Sequence, residues 1–294
     1  MSGERAPGSP AVRDSGALAT AVSWLFVPAS RPDRFAGAVG SGADAVVIDL
    51  EDAVAPGDKD RARAQLREGW PSDAGVPVVV RVNAAGTPQY AADLAVCRTL
   101  GPAAVVLPKT ESAEQVRAAA EAAGTPVLPL VESARGLVEL AGIAAAPGAV
   151  RLLFGSVDLA LDLGVSDDAA LDTARADLVR WSVVAGLPAP VDGVTTAVRE
   201  PETVAAAAAR GRAWGFGGKL CVHPAQVPPV HAAFAPTEEE LRWARRVLAA
   251  DAGGPDTGGA ALVDGEMIDR PVVERARRTV RAARRPGVAS GSRG

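Results

Sequence analysis

Aromatic residues make up only 4% of the 294 residues, and cysteine and histidine occur twice each. Each shortage excludes something. Cys97 and Cys221 cannot form a disulfide framework or a four-cysteine zinc site, and read most simply as two buried thiols in a reducing cytoplasm. His223 and His231 are the only histidines, and their spacing matches no zinc signature. Long apolar runs are missing as well: none reaches the roughly 18 residues of a spanning helix. Residues 1–20 scatter Glu4, Arg5 and Asp14 among Gly, Pro and Ser instead of placing a basic segment before an apolar one. The expectation is a cytoplasmic chain that neither enters a membrane nor leaves the cell. No excess of positive charge exists either, since 31 Lys+Arg stand against 35 Asp+Glu for a net −4, so no global field recruits nucleic acid or an anionic membrane. The Walker phosphate loop, the nucleophile elbow, the zinc-protease His pair and the dinucleotide glycine fingerprint are all absent. Gly215-Phe216-Gly217-Gly218-Lys219 resembles a phosphate loop but fails its spacing, and reads as a turn into a strand. Apart from His223, no histidine is placed to serve a serine nucleophile.

What is present is a 48% hydrophobic composition rich in alanine, enough for a sizeable core packed with Ala, Val and Leu. Residues 1–20 and 286–294 carry Gly, Ser, Arg and Pro without apolar period and are expected to be disordered tails. Between them β-branched runs alternate with Ala/Leu/Arg segments of helical period. The strand candidates are Trp24–Pro28, Ala45–Glu51, Pro77–Asn83, Ala104–Lys109, Pro126–Glu132, Leu152–Asp158, Val191–Thr195 and Lys219–His223. Helix-compatible stretches follow at Pro32–Val39, Asp60–Glu68, Pro88–Leu100, Ser112–Ala123, Gly136–Ala146, Asp168–Ala185, Pro201–Trp214 and Ala225–Phe234. That arithmetic predicts an α/β fold, a (β/α)₈ TIM barrel over residues 21–235. A doubly wound sheet would want a glycine fingerprint after the first strand, where Phe26-Val27-Pro28-Ala29-Ser30 has none. Residues 236–285 add a C-terminal helical extension that reads as a lid: helix at Thr237–Ala250, Gly/Asp-rich Asp251–Gly259, strand-like Ala261–Val263, helix at Ile268–Ala283.

Polar residues interrupt the apolar runs at the strands' C-terminal ends, where barrel enzymes build their sites. Asp49, Glu51 and Asp52 follow the second strand, Arg81 and Asn83 the third, Lys109 the fourth, Glu132 the fifth, Ser156 and Asp158 the sixth, His223 the eighth. Glu132 and Asp158 end consecutive strands, about 4.8 Å apart, and can converge on one hard divalent cation such as Mg²⁺. The bland alternative pairs each with a basic neighbour such as Arg135. Arg81 lies between Val80 and Val82, where a charge is expensive unless it meets an anion. Its planar fork suits a substrate carboxylate. The alternative is a salt bridge to Asp49 or Glu51 closing the barrel mouth, and the two can hold at different stages of turnover. Lys109 reads as a Schiff-base lysine or, better beside a carboxylate site, as an electrostatic or structural one.

In order, at these strand ends, the chain carries Trp24-Leu25-Phe26-Val27-Pro28 followed by Arg31-Pro32, Asp49-Leu50-Glu51-Asp52-Ala53-Val54, Val80-Arg81-Val82-Asn83 and Leu107-Pro108-Lys109. Then come Val131-Glu132-Ser133-Ala134-Arg135-Gly136, Gly155-Ser156-Val157-Asp158-Leu159, Val222-His223-Pro224-Ala225-Gln226 and Gly265-Glu266-Met267-Ile268-Asp269. With these stretches it resembles the HpcH/HpaI aldolase and citrate lyase beta-subunit family of acyl-CoA lyases from Trp24 to Arg278. The resemblance implies a Mg²⁺-dependent carbon–carbon lyase, with Mn²⁺ as the alternative metal, acting on a β-hydroxyacyl-CoA in which CoA is part of the substrate. Glu132 and Asp158 would ligate the metal and Arg81 would grip the substrate's carboxylate or keto-acid end. Glu51 and Asp52 would hold Arg81 and metal-bound waters, and Asp269 would act as acid/base, in cis or from a neighbouring protomer. Pro28, Ser156, Lys109 and His223 join Arg81 as substrate-binding candidates. A homotrimer or dimer of trimers is the implied assembly, and a thioesterase or a beta subunit active only inside a citrate lyase complex are the alternative activities.

Overall fold

The computed structural model describes residues 16–252, 262–263 and 266–283. After helical residues 16–20 (α1), strands β1 (Ser23–Pro28), β2 (Ala45–Asp49), β3 (Val78–Arg81), β4 (Val105–Leu107), β5 (Val127–Val131), β6 (Leu153–Phe154), β7 (Val191–Asp192) and β8 (Gly218–Cys221) form a closed parallel barrel. The pairing of Ser23, Trp24 and Leu25 with Lys219, Leu220 and Cys221 closes it. The expected (β/α)₈ architecture is therefore the one observed, and the open sheet is excluded. Around the barrel run α2 (Phe35–Val39), α3 (Lys59–Glu68), α4 (Tyr90–Leu100), α5 (Ala113–Ala123), α6 (Ala134–Val138), α7 (Leu140–Ala145), α8 (Ser156–Leu163), α9 (Asp172–Val184), α10 (Pro201–Trp214) and α11 (Val227–Phe234).

Strands buried on both faces read as unbroken apolar runs, as in Val127-Leu128-Pro129-Leu130-Val131, all buried. Every strand contributes to one core cluster containing Trp24, Val47, Val79, Val106, Leu128, Leu130, Leu153, Val191 and Leu220, which is the barrel interior. Leu18 and Ala21 belong to the same cluster. The buried Arg151 reinforces this end, donating from Nη1 to the carbonyls of Leu18 and Ala21 at 2.8 Å each and from Nε to Ala189 O at 2.7 Å. The expected tail over residues 1–20 is thus corrected: residues 16–20 are helical and Leu18 is core, because one leucine in an alanine-rich turn suffices to anchor it. Residues 1–15 and 284–294 lie outside the described residues.

Two further corrections concern element ends. The sixth strand was expected to run to Asp158, but it stops at Phe154 and α8 begins at Ser156. Val157, Leu159 and Leu161 alternate like a strand while Ser156-Val157-Asp158-Leu159 also satisfies a helical first turn, and after Gly155 the helix prevails. The helix expected over Asp168–Ala185 is a 3₁₀ turn at Asp168–Leu171 followed by α9. Pro228 and Pro229 fall in the first turn of α11, where their missing N–H groups have no helical partner to lose.

The chain divides into two compact units, one ending at Val230 and the other starting at His231. In the second, α12 (Glu238–Ala252) packs on α13 (Arg270–Ala283) around Ala244, Val247, Val273 and Ala276. Thr237 and Glu240 make a reciprocal capping box at the start of α12, with Thr237 N–H donating to Glu240 Oε2 (2.7 Å) and Glu240 N–H to Thr237 Oγ1 (3.1 Å). β9 (Leu262–Val263) pairs antiparallel with β10 (Glu266–Met267). The hinge-like Gly254–Gly259 spacer and Gly265 lie outside the described residues. No described helix is long and apolar enough to cross a membrane.

Candidate active site

Parallel register places Asp49 beside Arg81 at the mouth of the barrel. Arg81 donates from Nε to Asp49 Oδ1 (2.7 Å) and from Nη2 to Asp49 Oδ2 (2.6 Å), a bidentate pair, while Nη1 lies 3.0 Å from Glu51 Oε2 and 3.5 Å from Asp52 Oδ2. The guanidinium also sits 4.9 Å from the centroid of the Phe26 ring. Burial is the largest influence and works against the charge, but the hydrogen bonds and charge of Asp49, joined by the charges of Glu51 and Asp52, together outweigh it and hold Arg81 above its ordinary pKa. The salt-bridge reading of Arg81 is thus present in the structure. Asp49, 1% exposed, further accepts from the N–H groups of Glu51 (2.9 Å) and Ala53 (3.0 Å), so it also shapes the loop that carries Glu51 and Asp52. Beneath that loop the buried Lys59 ammonium donates to the carbonyls of Leu50 and Glu51, both at 2.7 Å. Asn83 adds a second hold on Leu50 O (3.0 Å) and is itself fixed by Asp93, which pairs with Arg63 at 2.7 Å.

Glu132 leaves the end of β5 buried, and its Oε1 accepts from Lys109 N–H at 2.8 Å. Burial pushes its carboxyl up to about 8; the Lys109 hydrogen bond opposes that, and the neighbouring Glu51 and Asp158 charges add to it. Glu51 is likewise pushed up to about 7, chiefly by burial, against the pull of Arg81. Its Oε2 makes no geometrically sound hydrogen bond, and its Oε1 lies 3.4 Å from Lys109 Nζ. Burial lowers Lys109 but Glu51 and Asp52 overcome it, so the net shift is upward. That ion pair with Glu51 fits the electrostatic or structural reading of Lys109 better than the Schiff-base one.

A cavity of about 450 Å³ opens at this end of the barrel, lined by Phe26, Pro28, Asp49, Asp52, Arg81, Glu132, Ser156, Asp158 and the apolar side chains of Leu130, Phe154, Val194, Leu220 and Val222. It brings together Arg81, Asp52, Glu132, Asp158, Ser156 and Pro28 from the expected set. Asp158 arrives from the first turn of α8 instead of a strand end. Arg135, the basic neighbour that could have occupied the carboxylates, pairs with Glu139 at 3.3 Å. Glu51 and Lys109 are not among the lining residues, though they lie 3.4 Å from each other and Glu51 Oε2 lies 3.0 Å from Arg81. His223 does not line the cavity; it is exposed, and its Nδ1 accepts from Ala225 N–H (3.1 Å) to cap the 3₁₀ turn Pro224–Gln226. Asp269 belongs to the second unit, exposed, its Oδ1 accepting from Val272 N–H at 3.0 Å as the cap of α13. The apolar lining escaped sequence reading because Leu130 and Leu220 look like any core residue; their place two residues before Glu132 and three before His223 was the available signal. The Gly215–Lys219 stretch behaves as the turn expected of it, with Lys219 Nζ bound to Gly193 O (2.7 Å) and Asp192 (3.3 Å).

A closed barrel whose C-terminal mouth gathers Asp49, Asp52, Glu132 and Asp158 around Arg81 has its polar groups at the end where (β/α)₈ enzymes build their active sites. The family model for HpcH/HpaI aldolase/citrate lyase matches residues 22–224, and the chain belongs to that family. It is 41% identical over 267 residues to the citrate lyase subunit beta-like protein of Mycobacterium tuberculosis, covering 88% of this chain and 94% of that one. It is 35% identical over 270 residues to the (3S)-malyl-CoA thioesterase of Cereibacter sphaeroides, covering 89% and 94%. The crystal structure of the M. tuberculosis protein CitE with magnesium, acetoacetate and coenzyme A superposes with a TM-score of 0.80 at 38% identity, over 90% of this chain and 99% of that one.

Proposed function

We propose that this protein is a Mg²⁺-dependent carbon–carbon lyase cleaving a β-hydroxyacyl-CoA of the malyl-CoA, citramalyl-CoA or 3-hydroxy-3-methylglutaryl-CoA type. The observation that carries this reading is that Glu132 and Asp158 line one cavity with Arg81. The donor set fits a hard cation: carboxylate oxygens, with Glu132 pushed up to about 8 by burial and by the charges of Glu51 and Asp158, a cost that a bound cation removes. Among the described residues no group of three His, Cys, Asp or Glu forms a metal cluster, so two protein carboxylates would leave positions for water and substrate. Bound there, Mg²⁺ supplies a Lewis acid for the oxygen that becomes the product carbonyl. Arg81 then orients the substrate carboxylate, and Pro28, Ser156 and Lys109 flank the acyl chain. A carboxylate takes the hydroxyl proton as the carbon–carbon bond breaks, and returns a proton to the enolate carbon of the acyl-CoA fragment. Asp269 is the proposed carrier, a role implied by the resemblance of the Gly265–Asp269 stretch and compatible with its exposure.

The thioesterase reading is favoured by the C. sphaeroides relative and would release free CoA from the same site. A panel of these thioesters, given to the isolated chain with Mg²⁺ while acyl-CoA, carbonyl and free CoA are all measured, separates the readings. Equal amounts of carbonyl product and shortened acyl-CoA support the lyase. Free CoA without a carbonyl product assigns a thioesterase, and no turnover by the isolated chain assigns a subunit that needs a citrate lyase complex. The trimer-based assembly implied by the resemblance is decided by sedimentation velocity.

A further inference from the structure

Among the described residues, Lys109 is the one non-glycine residue with positive φ (47°). Left-handed backbone brings Cβ against the following carbonyl, and a residue held there marks a place where the surroundings over-determine the chain. The local result of this conformation is specific. Lys109 N–H points across from the end of β4 to Oε1 of Glu132 at 2.8 Å, while its side chain reaches Glu51 instead. On the other flank of Glu132 stands Gly155. Its φ of −92° is open to any residue, yet a Cβ there would fall 2.4 Å from both Cβ and Oε2 of Glu132. Glycine at 155 is therefore required by Glu132 and not by its own backbone. The last registered pair between β5 and β6 is Val131 with Phe154, so Glu132 and Gly155 leave the sheet side by side. Two positions just beyond the ends of different strands thus shape the seat of one carboxylate, one by conformation and the other by lacking a side chain.

We propose that Lys109 is a positioning residue that acts through its main chain: the left-handed backbone, not the ammonium, sets the Glu132 carboxylate toward a divalent cation, with Gly155 leaving the room. This rests on the reading above that Glu132 is a cation ligand. If residue 109 relaxes to extended backbone, its N–H leaves Glu132, and apparent cation affinity falls by the fraction of molecules with the carboxylate in place.

The test is a series at position 109 in which every variant lacks the ammonium, so that only backbone preference changes. Lys109→Gly and Lys109→Asn enter the left-handed region readily, and Lys109→Val is the most resistant. Each full-length protein is titrated with Mn²⁺ alone, by calorimetry and by the loss of the free-Mn²⁺ spin signal, and melted without metal. Lys109→Gly and Lys109→Asn are expected to bind Mn²⁺ at least as tightly as wild type, and Lys109→Val about tenfold more weakly. A Gly variant that loses tenfold or more assigns the role to the ammonium and overturns the proposal. A Val variant that matches Gly does the same. Should Val fail to fold, the metal-free melts of Gly and Ala decide: with the left-handed backbone retained, Lys109→Gly melts above Lys109→Ala, and the reverse order overturns the proposal. Glu132→Gln separates the two levels. If it binds Mn²⁺ like wild type, Glu132 is no ligand and both readings fall; if it loses Mn²⁺ while Val matches Gly, the positioning proposal alone falls.

Discussion

Arg81 holds Asp49 in place before any substrate arrives, and that changes what its removal is expected to do. The guanidinium is the bidentate partner of a carboxylate that is 1% exposed, and breaking a buried pair from one side leaves the other charge uncompensated. Arg81→Ala should therefore destabilise the fold by about 3–5 kcal/mol in denaturant titration. An unaltered unfolding midpoint would mean that Asp49 is satisfied without it. Arg81→Lys keeps a charge but loses the planar fork, so it should stay folded while kcat/KM falls, KM taking most of the change. Glu51 offers a second test at this scale. Burial lifts its folded carboxyl to about 7, above the ordinary 4.5 expected in the unfolded chain. Between those values the native state keeps a proton that the unfolded chain releases, so stability falls as pH rises through the window and levels off above it. The loss is on the order of 3 kcal/mol. Glu51→Gln cannot release a proton, and its melting temperature should change less than that of wild type from pH 5 to 7. Parallel curves for the two proteins would show that Glu51 ionises normally.

At the scale of elements, all eight strands were legible because parallel strands covered on both faces must be apolar, and no other pattern of this length gives eight such runs. The expected strands nevertheless overran the observed ones at their C-terminal ends: Glu51, Asn83, Lys109, Glu132 and Thr195 all lie beyond the last ladder residue. The reason is physical. A side chain that must enter the mouth has to leave the alternation of the sheet, and its backbone leaves the ladder with it. Composition told that these residues were out of place but not that they were out of the strand. Asp158 was identified for the right cavity on the wrong element, since Ser156-Val157-Asp158-Leu159 fits both periods. The conformation of Lys109 had no trace in Leu107-Pro108-Lys109, because lysine at positive φ is imposed by neighbours. α13 carries the prediction proper to an element. Asp269 caps it through Val272 N–H, and asparagine caps as well as aspartate. Asp269→Ala should cost about 0.5–2 kcal/mol in stability, and Asp269→Asn close to nothing. If Asp269 also moves the proton, Asp269→Asn should lose most turnover at wild-type stability; an unchanged rate would confine this residue to its cap.

For the whole molecule, the mouth of the barrel is a place where the folded state carries a cost that a ligand relieves. Glu51 and Glu132 are buried carboxylates whose neighbours include other carboxylates, and Arg81 and Lys109 offset only part of that charge. A cation that binds the folded barrel and not the unfolded chain raises stability by mass action, about 2.7 kcal/mol when its concentration is a hundred times its Kd. Spread over a chain of this length, that is an upward shift in melting temperature of about 4 °C. Mg²⁺ should produce such a shift, excess chelator should abolish it, and Asp158→Asn should be insensitive to both. Asp158 is the informative position because it is half-buried, whereas Glu132 is buried and holds the Lys109 N–H. A variant that still gains the full shift would place the cation elsewhere in the molecule. An absent shift in wild type at saturating Mg²⁺ would mean that the two carboxylates share protons instead of a metal, and that the charge at the mouth serves the substrate directly.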